Sequence, residues 1–71
     1  MQLFIKVNDI NIVLNFDEKI TIIDVFNEIN NRMRINENYY YLIYNSRILN
    51  KNDNNYKIKN LSTFQLIYRA C

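Results

Sequence analysis

The single thiol of the chain is its last residue, Cys71, which follows Arg69 and Ala70. A cysteine at a chain end is expected to be accessible, and its thiolate can form a disulfide or an adduct. A free thiol has a pKa of ~8.5, so only a small fraction is ionised at neutral pH. The chain has no histidine, and no nucleophile–base pair can be assembled around Cys71. One cysteine cannot pair within the chain, and without a histidine or a cysteine cluster no metal site is expected. These residues read as a protein that is not an enzyme and takes neither cofactor nor metal. Beside the working thiol stands a plainer reading, in which Cys71 is a terminal residue or an engineered handle with no role.

The elements around these groups must come from one small core. At 71 residues the chain is read as one domain, 1–71, whose 49% hydrophobic content has to supply the stability. The net charge of +2 is scattered over both halves, too little for a nucleic-acid stripe. No run approaches the ~18–20 apolar residues of a membrane span. No charged-then-apolar leader opens the chain. A soluble, cytoplasmic protein with neither nucleic-acid nor membrane partners is expected, in a host cell if its source is a virus or pathogen; a leader cleaved before Met1, and hence secretion, is left open. Fourteen Asn and twelve Ile, with no Gly or Pro, fit an AT-rich genome, such as that of a parasite, an insect virus, a large DNA virus or a bacterium. An Asn-rich disordered segment is a poorer reading, because the Asn residues interrupt a regular apolar pattern.

Residues 2–7 alternate, with Leu3, Ile5 and Val7 on one face and Gln2, Phe4 and Lys6 on the other, which predicts a half-buried strand. Residues 8–11 are expected to turn, and Ile12, Leu14 and Phe16 resume the period of two to complete a hairpin. Thr21 and Asp24 have the spacing of a capping box. Ile22, Val25, Phe26, Ile29 and Met33 then follow at helical spacing. With no glycine to close that helix, an Asn or a strained residue must do so. A third strand is expected over 40–44, then a turn at Asn45-Ser46, a short strand over 47–49 and a polar loop over 50–55. A 3₁₀-like turn at Tyr56-Lys57-Ile58 and a last strand over 62–68 complete the order β-β-α-β-β-β. This predicts an α+β roll of the β-grasp type, a mixed sheet packed on one helix.

Both ends of the chain resemble ubiquitin. Met1-Gln2-Leu3-Phe4-Ile5-Lys6 is almost the hexapeptide that opens that family. Ser62-Thr63-Phe64-Gln65-Leu66-Ile67-Tyr68-Arg69 is similar to its last strand. Thr21-Ile22, Leu42-Ile43-Tyr44 and Tyr56-x-Ile58 match local motifs between them. Core positions Leu3, Ile5, Ile12, Leu14, Phe16, Ile22, Val25, Ile29, Leu42, Leu49, Ile58, Phe64 and Leu66 match in type and order. The resemblance spans the whole chain once one residue is removed from the first hairpin and two from the loop around Asn52. It implies a ubiquitin-like fold and partners in the ubiquitin pathway: activating or conjugating enzymes and ubiquitin-binding domains.

The resemblance also implies a set of contact residues. The family's apolar sheet patch falls on Ile43, Gln65 and Ile67, with its hairpin member at Val7 or Asn8; Gln65 stands where the family has histidine. A second patch falls on Ile35, Tyr68 and Ala70, and Arg69 matches the arginine read by activating enzymes. Of the amines that accept further modifiers, Lys6 and the amine of Met1 remain. The most used acceptor is Arg47 here, whose guanidinium stays protonated, and another is Asn60. The family's buried helix lysine is Phe26 and its acidic partner is Lys51, so apolar packing is expected in place of an ion pair. The family's diglycine, which threads narrow enzyme channels, is replaced by Ala70-Cys71.

Three functions follow as expectations. The first is a mimic or decoy that engages ubiquitin-pathway proteins through the sheet patch without being conjugated. It would be a monomer, or a Cys71 disulfide dimer when oxidised. The alternative is an unconventional covalent modifier with an altered or processed C-terminus. The third is a β-grasp module of a larger interaction protein.

Overall fold

The computed structural model describes residues 1–17, 19–52 and 57–69. Its elements are β1 (Gln2–Val7), β2 (Ile10–Asn15), α1 (Ile22–Met33), a 3₁₀ turn (Glu37–Tyr39), β3 (Tyr40–Tyr44), β4 (Arg47–Ile48) and β5 (Ser62–Tyr68). The strands form one five-stranded sheet in the order β2-β1-β5-β3-β4. β1 and β5 run parallel at its centre, and the other neighbours are antiparallel. With α1 on one face, this is the β-grasp roll expected from the sequence.

The first hairpin is tighter than the sequence suggests. Val7 pairs with Ile10 and Lys6 with Asn11, which leaves only Asn8 and Asp9 in the turn. Asn8 takes φ 54°, a left-handed value that Asn tolerates better than most side chains. Once the turn starts there, Ile10 and Asn11 gain ladder partners that a four-residue turn would deny them. At the β3–β4 hairpin both Asn45 and Ser46 have positive φ, 52° and 63°, the sign pattern of a type I′ turn.

The helix is set by its start and by its apolar stripe. Thr21 Oγ1 accepts from the Asp24 amide at 3.4 Å, and the Asp24 carboxylate accepts from the Thr21 amide at 2.8 Å. This is the reciprocal box that the spacing predicts. Ile22, Val25, Phe26 and Ile29 face inward and are buried, while Met33 packs at the margin. The core they enter is made from alternate residues of the strands: Leu3, Ile5 and Val7; Leu14; Tyr40 and Leu42; Phe64 and Leu66. Ile12 and Phe16, expected inside, are partly exposed because β2 is an edge strand. Lys57 and Ile58 have no helical turn, and Tyr56 and residues 53–55 lie outside the described residues.

Without glycine, five of the described residues take left-handed backbone angles: Asn8, Arg34, Asn45, Ser46 and Leu61. Arg34, at φ 56°, closes α1. This is the strained helix end that the composition requires. An L-residue there is disfavoured by about 1–2 kcal/mol, whereas glycine loses about 0.5–1 kcal/mol more chain entropy on folding. Arg34→Gly is therefore expected to stabilise the fold by about 0.5–1 kcal/mol. Arg34→Ala should bring no such gain, as read from urea midpoints of the two variants beside the parent chain.

Candidate functional site

The face of the sheet opposite α1 is open, and alternation along the strands decides what it carries. Lys6 of β1 pairs with Gln65 of β5, Gln65 with Ile43 of β3, and Ile43 with Ile48 of β4. Paired residues point to the same side, so these four form a row across the sheet. The next row brings Tyr41 opposite Ile67. Ile48 is 63% exposed and Ile67 41%, while Ile43 is half-buried between them. The result is a small aliphatic cluster on adjacent strands with a lysine at one end. A shallow hollow of about 300 Å³ opens beside it, lined by Lys6, Ile43, Gln65 and the β3–β4 turn.

Arg69 closes the other end of the cluster. Its amide donates to the Tyr39 carbonyl at 2.9 Å, which extends the β5–β3 ladder beyond the last strand residue. Its guanidinium lies 4.2 Å from the centre of the Tyr41 ring, a cation–π distance. Arg69 is thus laid against the sheet. Ala70 and Cys71 lie outside the described residues.

The remaining site residues distribute differently. Val7 is buried at 6% exposure, pointing into the core, because it shares the inward parity of Leu3 and Ile5. It cannot be a surface contact; of the two hairpin candidates only Asn8 is exposed. Arg47 is exposed but pairs with Tyr44, whose ring stacks on the core residue Phe64 at 4.7 Å. Its register therefore belongs to the helix side, not to the open face. Tyr68 pairs with Tyr40 and shares that parity, although it is 48% exposed at the strand end. Ile35 is partly buried against the core. Of the two amines, that of Met1 donates to the Phe16 carbonyl, while Lys6 projects from the open face.

Ile48 and Tyr41 complete the cluster, and sequence reasoning missed both. The signal was present: a two-residue turn at 45–46 forces Ile48 opposite Ile43, and Tyr41 is two residues from Ile43 on the same strand.

Beside this cluster a polar chain fixes the start of β3. Tyr40 OH donates to Asn30 Oδ1 at 2.8 Å, Asn30 Nδ2 donates to the Glu37 carboxylate, and Lys51 Nζ meets the same carboxylate at 2.6 Å. Phe26 packs in the core and stacks on Tyr40, with centroids 6.0 Å apart. Apolar packing at Phe26 is as expected, but Lys51 has an ion-pair partner in Glu37. Burial pushes the Tyr40 phenol upward, and the Glu37 charge adds to this, so Tyr40 remains a neutral donor. The Lys51 hydrogen bond, followed by a backbone bond and that from Asn30, holds the Glu37 carboxyl below its ordinary value of 4.5. Among the described residues no group of His, Cys, Asp or Glu could hold a metal ion.

No protein-family model matches the chain, and no curated protein matches it.

The direction of the Glu37 shift sets a pH dependence. A carboxyl depressed in the folded state binds fewer protons there than in the unfolded chain. Its contribution is complete above the ordinary glutamate value of 4.5 and is lost as pH falls through the lower folded value. Glu37→Gln should remove that part of the acid-side loss. Urea midpoints at neutral and acidic pH should converge for the variant relative to the parent chain.

Proposed function

We propose that this is a ubiquitin-like interaction protein that engages ubiquitin-pathway proteins through the open sheet face. It acts as a mimic held by contact rather than by conjugation. The observation that carries the reading is the outward placement of half-buried Ile43 beside exposed Ile67 on neighbouring strands, extended by Ile48 and Tyr41. Small apolar clusters of this kind supply most of an interface's energy when a partner seals them from water. Lys6 and Arg69 at the two ends favour a partner whose apolar contact is flanked by carboxylates. Such partners place its work in the cytoplasm. Arg69 supports contact over conjugation, because its stacking on Tyr41 draws the arginine that activating enzymes read towards the sheet.

The test is capture of purified ubiquitin-binding domains by the chain and by an Ile43→Ala, Ile67→Ala double variant. Both side chains lie on the outer face, so each truncation should cost the fold only about 1 kcal/mol and leave it folded. Capture should weaken by about thirtyfold or more, the effect of losing a hot spot of ~2 kcal/mol. Undiminished capture, or none by the parent chain, removes the reading. The modifier alternative is separated by incubation with a ubiquitin-activating enzyme. An ATP-dependent adduct that persists in Cys71→Ser would show carboxylate activation and transfer the proposal to a covalent modifier.

A further inference from the structure

Strand β2 is the long free edge of the sheet, and its hydrogen-bonding phase is fixed by the strand beside it. The Phe16 amide donates to the Met1 carbonyl at 2.8 Å and the Met1 amine to the Phe16 carbonyl, so these two close on each other. Counting in twos along the register, Leu14, Ile12 and Ile10 also turn their backbone groups to β1. Those of Asn11, Val13 and Asn15 therefore point away from the sheet. The position of Arg32 agrees with this phase: it reaches across from α1 and donates to the outward Val13 carbonyl at 3.3 Å.

Natural edges are commonly blunted by charge, proline or a bulge. Here residues 10–16 read Ile-Asn-Ile-Val-Leu-Asn-Phe, with no charge and no proline. The stretch is also a near-palindrome about Val13. Reversed against itself, it sets Asn11 opposite Asn15, Ile12 opposite Leu14 and Ile10 opposite Phe16. Any extended peptide could satisfy the backbone, but only the same segment in reverse also matches each side chain with its like. Ile10 is 65% exposed, a large aliphatic side chain at a strand end, and this register covers it. The nearest charges along the strand, Asp9 and Asp17, fall opposite one another just beyond, where repulsion limits pairing to the uncharged stretch.

We infer that two copies of this chain join along β2 as an antiparallel, two-fold dimer centred on Val13, continuing one sheet into the next. The pairing is isologous and closes after two copies. Val13 amides and carbonyls exchange across the axis, and each Asn11 exchanges with the Asn15 opposite. Arg32 opposes the union, because it occupies the central carbonyl. The dimer is non-covalent, which departs from the monomer expected from the sequence, and it leaves the open-face cluster of β3, β4 and β5 uncovered.

The test is sedimentation of the Cys71→Ser chain, free of disulfides, from micromolar to millimolar concentration. It should pass from monomer to dimer and no further. Val13→Pro removes an outward amide that an edge strand does not use within its own sheet. Val13→Lys sets like charges face to face. Both should stay monomeric at concentrations where the parent pairs, with unchanged circular dichroism. Arg32→Ala should lower the midpoint concentration by about thirtyfold, one hydrogen bond's worth in each of the two copies. A parent chain that stays monomeric at millimolar concentration overturns the inference, as do a dimer that survives both Val13 variants and growth beyond two copies. Because Ile43 and Ile67 lie elsewhere, failure here leaves capture by the open face unaffected, and the two readings fail separately.

Discussion

The fold depends on one long-range event, the parallel pairing of β1 with β5 at the centre of the sheet. It joins the two most distant segments of the chain and buries Leu3, Ile5 and Phe64 completely. Everything else hangs from that pair: β2 is carried on the outer side of β1, β3 and β4 on the outer side of β5, and α1 spans the crossover. Parallel neighbours cannot be joined by a tight turn, so the register must be set from outside the ladder. Two contacts do so. The Leu61 amide donates to the Gln2 carbonyl at 2.7 Å, and the Gln2 amide donates to Asn60 Oδ1 at 2.8 Å. Leu61 makes its bond with a φ of 66°, a conformation that a bulky residue adopts only when its surroundings enforce it.

That register also decides what the open face carries. A slip of one residue between β1 and β5 would send Lys6 and Gln65 to opposite sides, because side chains alternate with period two. The inward residues therefore discipline the outward ones. Phe64 and Leu66 cannot leave the core, so Gln65 and Ile67 must face solvent. The buried row on β3, Tyr40 and Leu42, fixes Tyr41 and Ile43 in the same way. The polar chain from Tyr40 through Asn30 and Glu37 to Lys51 anchors this strand at its start. Position on the face is thus inherited from packing on the opposite side.

This explains what could be read in advance. Strands, helix and capping box were legible because period two, period 3.6 and the Thr21–Asp24 spacing are local properties of the chain. The outward placement of Ile43, Gln65 and Ile67 was expected from the resemblance, and alternation along β3 and β5 agrees with it. What escaped was non-local. The hairpin turn was read too long, because whether Ile10 and Asn11 extend the ladder depends on their partners in β1. Ile12 and Phe16 were expected in the core, yet strand order puts them at an edge, and order is set by the β1–β5 union. Val7 was offered as a surface contact by resemblance, although its own alternation already pointed inward; there the local rule was the better guide. The partner of Lys51 could not be foreseen, since Glu37 reaches it through the 3₁₀ turn.

The absence of glycine ties these observations together. A chain with glycine closes helices and turns at little steric strain; this one closes them on Arg34, Leu61, Asn and Ser. Each such closure draws on the stability of a small core, and a core of this size has little to spare. Burial elsewhere must offset the strain. Phe26, buried and stacked on Tyr40, acts in that direction, because an apolar side chain carries no desolvation penalty. Association along β2 acts in the same direction. A fold that binds a second copy only when native gains stability with concentration. In a protein so constrained, an uncharged edge that a single arginine covers is a source of stability as much as a hazard, and Arg32 sets the balance between them.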